Sequence, residues 1–260
     1  MSTPKGYVAP DYLQAAAKLL EPFKRRTYAL MQIQPGHKVL DVGCGPGTDT
    51  IPLAALVGPT GEVRGVDTDA AMIAEADQCA ERAGVGNRAK HERADATALP
   101  FESGYFDSCR SERLFQHLPD PEPALSEMIR VTKAGGWVAV LDTDHGTWST
   151  DTPEVDIERR LARFRTEHMH HNGYAGRQLY RLFKQQALAD VAAEMIAGHF
   201  TDYAFLRQMS VVDRMEQAAV AAGVITADEL SRWRASLERA AAADAFFGSE
   251  CMVLVAGRKS

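Results

Sequence analysis

The sequence lacks most features that would assign it to a membrane, a nucleic acid or an oxidising compartment. It has no run of 18 apolar residues, so no membrane span is expected. Its opening residues, Met1-Ser2-Thr3-Pro4-Lys5-Gly6, carry no apolar signal core. Basic residues are not in excess: 29 Lys and Arg against 35 Asp and Glu give a net charge of −6. With no long basic run either, nucleic acid is not expected as a partner. Cysteines are few and scattered (Cys44, Cys79, Cys109, Cys251), without metal-ligand spacing. They read as reduced, partly buried thiols of a cytoplasmic protein, and no metal site is expected. Internal repeats and low-complexity tracts are also missing. The remaining composition, 45% hydrophobic and 25% charged over 260 residues, suits one large α/β domain with additions or two small domains.

Within that plain background one stretch stands out. Val39-Leu40-Asp41-Val42-Gly43-Cys44-Gly45-Pro46-Gly47 is an apolar strand ending in three alternate glycines. A strand running into such a turn lets the backbone approach a ligand where a Cβ would collide. Thr48 reads as the N-cap of a helix over 48–57. A second apolar strand, Glu62 to Val66, ends in Asp67, whose carboxylate can accept from the two hydroxyls of a ribose. Thr68 and Cys44 flank these two strand ends. The pattern describes a pocket for an adenosine-bearing cofactor. A nicotinamide or flavin fold asks for G-x-G-x-x-G, which admits a pyrophosphate. Here the spacing is Gly43-x-Gly45-x-Gly47 and Thr48 occupies the third glycine's place. Asp41 beside the turn suits a cationic amino group better than a pyrophosphate.

On these residues the chain resembles the class I S-adenosylmethionine-dependent methyltransferases, and residues 106–120 are similar to those of ubiquinone and menaquinone biosynthesis. The resemblance implies an α/β, Rossmann-like seven-stranded sheet of order 3-2-1-4-5-7-6 with the last strand antiparallel. It implies S-adenosylmethionine as cofactor, S-adenosylhomocysteine as product and a small-molecule methyl acceptor. Asp95 and Ala96 would contact adenine, and Ser111 and Arg113 would lie beneath the methionine part. Arg26, with Tyr7 and Tyr12, would either close over the cofactor or belong to a helix packed on the sheet. The Asn/Asp-Pro-Pro-aromatic motif of many base-modifying relatives is replaced by Ser111-Glu112-Arg113-Leu114. Three other classes stay open: a nicotinamide-dependent oxidoreductase, an RNA or protein methyltransferase, and a non-catalytic S-adenosylmethionine-binding regulator.

Candidate chemistry gathers at the ends of strands four and five. His117 either accepts a proton near neutral pH or packs before Pro119. Asp142 and His145 either orient a hydroxyl or amine at the crevice rim or are loop polarity. The run His168-Met169-His170-His171 reads as a solvated helix end, since its histidines do not share a helical face. Arg159, Arg160, Arg163 and Arg165 read as a solvated stripe or as a grip on a substrate anion.

The expected organisation is an N-terminal helical segment over 1–34 and an α/β core over 35–145, 176–201 and 247–260. Helical insertions over 146–175 and 202–246 would form a substrate cap. Thr226-x-x-Glu229 has the spacing of a capping box for the last helix. Phe164, Tyr174, Tyr203, Phe205 and Met209 would line the chamber or belong to the core. The acceptor, the atom methylated and the subunit count are not written in the sequence.

Overall fold

The computed structural model describes residues 21–209 and 212–260. Tyr7 and Tyr12 lie outside the described residues. Strands alternate with helices: β1 (Lys38–Val42), α2 (Thr50–Leu56), β2 (Glu62–Asp67), α3 (Ala70–Arg82), β3 (Ala89–Arg93) and β4 (Phe106–Glu112). They follow a helix over 21–30, α1. Then come α4 (Glu122–Val131), β5 (Thr132–Thr150), α5 (Val155–Phe164), α6 (Ala175–Gln185) and β6 (Ala189–Phe200). Helices α7 (Tyr203–Met209), α8 (Val212–Ala221) and α9 (Ala227–Ala242) lead to β7 (Gly248–Arg258).

The seven strands form one sheet of order β3-β2-β1-β4-β5-β7-β6, as the resemblance implies. β1 to β5 pair in parallel, and β7 runs antiparallel to both β5 and β6. Successive strand residues face opposite sides, which separates two cores. Leu40, Cys109 and Val138 face α4 and α6, against Leu125, Met128 and Phe183. Val39, Val63 and Ala139 face the other side, with Tyr28 and Met31 of α1, Leu53 of α2 and Ala80 of α3. A third apolar core lies away from the sheet faces. It joins Trp148, Ile157, Leu161 and Phe164 to Tyr203, Met215, Trp233 and Phe246. It thus unites residues from the two segments expected as cap insertions.

Two local expectations change. Strand β5 continues past Leu141 to Thr150, because β7 keeps pairing with it at Asp144↔Cys251 and Ser149↔Ser249 across a bulge. The boundary expected at residue 145 therefore falls inside a strand. The N-cap of α2 is Asp49, not Thr48, and its carboxylate caps no helical N–H. Among the described residues no helix is long and apolar enough to cross a membrane.

Candidate active site

The C-terminal ends of β1, β2 and β3 build one rim of the crevice. Gly43, Gly45 and Gly47 take φ of +74°, +50° and +78°, which side-chain-bearing residues rarely adopt. A Cβ on Gly47 would stand 3.0 Å from the Thr50 Oγ1 and 3.1 Å from the Ala76 Cβ. The turn folds back on β2: the Gly43 and Cys44 amides donate to the Val66 carbonyl at 2.8 and 3.0 Å. Gly45 N donates to one Asp67 oxygen and Asp69 N to the other, both at 3.0 Å. Asp67 is half-buried and Thr68 exposed. The glycine-rich turn and the adjacent strand-end carboxylate together fit an adenosine-bearing cofactor. Cys44 is buried in the turn, and burial, then Asp41 and Asp67, push its thiol up, so it stays protonated. Past β3, Asp95 accepts from the Thr97 amide and hydroxyl at 2.8 Å, which holds its carboxyl below the usual range. Ala96 is buried beside it.

Beneath the glycine turn is a buried charge cluster. Asp41 and Arg110 are register partners on β1 and β4, and Arg110 has no exposed surface. Its guanidinium reaches Asp41 at 3.2 Å, Asp49 at 2.8 Å and Glu112 at 3.0 Å. From α1, Lys24 pairs with Asp49 and lies 3.2 Å from Glu112, while the Tyr28 hydroxyl donates to Asp49. Burial pushes the Asp41 carboxyl up to about 7, against the pull of Arg110. Asp49 goes the other way despite its burial, held low by Arg110 and Lys24. Arg26 lies on another side of α1, in an ion pair with Glu194 of β6 at 2.5 Å, half exposed. The cation of this helix that joins the charge cluster is therefore Lys24.

The ends of β4 and β5 carry the third part. Ser111 is fully buried, and its Oγ has no partner among the described residues. Arg113 turns the chain with φ of +53°, its Nε 3.4 Å from Glu112. Asp142 is fully buried and accepts from the amides of Phe115 at 2.7 Å and Gln116 at 3.3 Å, besides its neighbour Thr143. Its carboxylate thus shapes the 3₁₀ turn Phe115–His117 that presents His117. Burial still pushes Asp142 up to about 7. His117 is half-buried, and burial with neighbouring His145 and Arg113 pushes its imidazole down to about 4.

His145 is buried on β5 and bonded at both ring nitrogens. Its Nδ1 lies 2.8 Å from Glu250 Oε1 and its Nε2 lies 2.7 Å from Gln116 Oε1. The His170 ring stacks on it with centroids 3.6 Å apart. In the run 168–171, His168 and His171 are exposed, as expected of a solvated helix end, whereas His170 is not. It follows a π-helical turn, Arg165–Met169, and is half-buried against His145. The arginine stripe resolves into ion pairs: Arg159 with Glu158, Arg160 with Asp156 and Glu229, Arg163 with Glu167, and Arg165 with Glu250. Phe164 and Tyr203 pack in the third core, Tyr174 and Phe205 are half-buried, and the Met209 side chain lies outside the described residues.

Sequence reading did not single out Lys24, Tyr28, Asp49, Arg110, Gln116, His170 or Glu250 in these places. Arg110 left a usable signal: a charge inside a predicted strand needs a buried partner, and Asp41 stands on the neighbouring strand. Among the described residues no group of three or more His, Cys, Asp or Glu could hold a metal ion.

A family described as a methyltransferase domain matches residues 33–194. An uncharacterised 37.1 kDa protein in transposon Tn4556 of Streptomyces fradiae is 32% identical over 251 residues, 95% of this chain and 71% of that one. Demethylmenaquinone methyltransferase of Bacillus cytotoxicus is 37% identical over 125 residues. That match covers 48% of this chain and 52% of the relative, about half of each. Among solved structures, geranyl diphosphate C-methyltransferase from Streptomyces coelicolor, bound to Mg2+, geranyl diphosphate and S-adenosyl-L-homocysteine, superposes with a TM-score of 0.58 at 14% identity. The superposition covers 96% of this chain and 84% of that one, and it speaks for the fold.

Proposed function

The chain belongs to the class I S-adenosylmethionine-dependent methyltransferases, and from that premise we propose that it methylates a small organic molecule in the crevice between the sheet ends and the helical cap. The observation that carries the cofactor site is the glycine-rich Gly43–Gly47 turn, tied by Gly45 N to the Asp67 carboxylate at 3.0 Å. Asp67 would exchange that contact for ribose hydroxyls, and Asp95 and the Ala96 backbone would receive adenine. Ser111, whose buried hydroxyl is unpartnered among the described residues, and Arg113 would face the methionine part. Asp41 would act through Arg110, and Arg26 is given no direct contact because Glu194 engages it. When bound, the cofactor supplies an electrophilic methyl group. The protein's own work is alignment and exclusion of water. Asp142 holds the turn that presents His117, and His117 would meet the acceptor. A small acceptor is supported by the net charge of −6 and by the capping core; the relatives' named substrates are likewise small molecules.

Calorimetry with S-adenosylhomocysteine and NADH tests this reading. Binding of the first and not the second is expected, and the reverse would overturn it. Asp67→Ala is expected to weaken S-adenosylhomocysteine by about 1–3 kcal/mol through lost hydroxyl contacts. Unchanged affinity would remove Asp67 from the ribose site.

A further inference from the structure

A buried histidine stands behind the glycine turn, and the site described above makes no use of it. His91 of β3 is the register partner of Gly65 on β2, which is in turn the partner of Asp41 on β1. The His91 side chain has no exposed surface. A Cβ on Gly65 would stand 2.6 Å from the His91 Cδ2 and 2.9 Å from the Cys44 Sγ. The glycine in mid-strand therefore makes room for the ring and for the turn's own cysteine. From α3, Asp77 brings a half-exposed carboxylate to 2.9 Å from Nδ1. From α2, the fully buried Thr50 hydroxyl lies 2.8 Å from Nε2 and 3.1 Å from the Gly47 carbonyl oxygen.

These contacts favour one arrangement of protons. A carboxylate only accepts, so Nδ1 carries the proton. Burial, opposed by Asp77 and joined by Lys90, holds the imidazole below its ordinary value, so the ring is neutral at neutral pH. Nε2 then has a lone pair and accepts. The Thr50 hydroxyl has one proton and two acceptors within reach, and the ring nitrogen is the nearer. Thr50 donates to it, and the Gly47 carbonyl goes without that proton. With the ring proton on Nε2 instead, Thr50 would accept there and turn its own proton to Gly47. The tautomer of His91 thus decides which way a hydroxyl beneath the third glycine points.

Resting on the methyltransferase reading above, we infer that His91 is a positioning residue for the cofactor turn, the middle member of an Asp77–His91–Thr50 relay that holds the Thr50 hydroxyl away from the Gly47 carbonyl. Asp77 sets the tautomer, the ring directs the hydroxyl, and the hydroxyl fixes the backbone at the end of the turn. The relay joins α3 and β3 to the start of α2, so the turn is held from behind as well as by Asp67. Thr50 is fully buried, so the three residues position the turn and take no part in methyl transfer.

The test uses 15N-histidine-labelled full-length protein, first without ligand. Long-range 1H–15N spectra, assigned with His91→Gln, are expected to show Nδ1 protonated and Nε2 unprotonated at about pH 7.5. A proton on Nε2, or on both nitrogens, would overturn the inference. Asp77→Ala, at a half-exposed site, is expected to move the proton toward Nε2; an unchanged tautomer would remove Asp77 from the relay. Calorimetry with S-adenosylhomocysteine then reads the effect on the turn. Asp77→Ala and Thr50→Val are expected to weaken binding about threefold or more, and Thr50→Ser to bind within about twofold of the parent. Parent-like affinity in both weakened variants would sink the positioning role. Equal losses in Thr50→Val and Thr50→Ser would sink it too, since packing and not the hydroxyl would then matter. Failure of the parent to bind S-adenosylhomocysteine would strike the methyltransferase reading instead, with the His91 nitrogens still legible in the free protein.

Discussion

His117 shows how a single buried group writes itself into stability. Its imidazole titrates near 4 in the fold and near the ordinary value once unfolded. Between those values the unfolded chain binds a proton that the folded one refuses. Stability is therefore complete above the unfolded pKa and is lost as pH falls toward the folded one. At about pH 5 the loss amounts to about 2 kcal/mol. His117→Phe removes this loss, so its stability relative to the parent is expected to improve by about 2 kcal/mol between about pH 8 and pH 5, read from urea unfolding at each pH. At this scale legibility followed sequence distance. The Gly43–Gly47 turn and Asp67 were readable because their geometry is set within a few residues of each strand end. The partners of Arg110 and His145 were not, because Asp41 and Glu250 are 69 and 105 positions away. The sequence alone shows a polar residue in an apolar strand, and only the register supplies its complement.

The start of α9 came out as its local signal predicts. Thr226 accepts from Glu229 N at 3.1 Å while the Glu229 carboxylate accepts from Thr226 N at 2.7 Å, the reciprocal cap its spacing foretold. Arg160 of α5 also grips Glu229 at 2.6 Å, so the start of α9 is joined to a second helix. Thr226→Ala is expected to cost about 1 kcal/mol, read as a lower Tm. The start of α2 misled because Asp49, one residue beyond Thr48, is drawn into the charge cluster by Arg110 and Lys24. The length of β5 was hidden for a similar reason: residues 142–150 extend only because β7 lies alongside them. The π-helical turn at Arg165–Met169 had no recognisable signal, and with it went the inward placement of His170.

The molecule has two apolar centres: the sheet cores that carry the glycine turn, and the separate core around Trp233, proposed above as a cap. Trp233 is buried, and its indole N–H donates at 3.0 Å to Glu216, itself fully buried between Arg207 and Arg234. Trp233→Ala is expected to cost about 3–5 kcal/mol. Hydrogen exchange should rise over 203–242. S-adenosylhomocysteine affinity should stay within about twofold, as for distant independent sites; a large loss would mean that the two centres are coupled. The sheet order was legible through the resemblance, whereas the core around Trp233, assembled from two separate segments, was not open to local reading. The position of β7 has a consequence for how the sheet closes. It lies between β5 and β6 yet follows both in the chain, so β6 joins the sheet only when residues 248–258 insert between them. Without β7, β5 shows an open edge and β6 has no partner, a row of backbone groups free to pair with another chain.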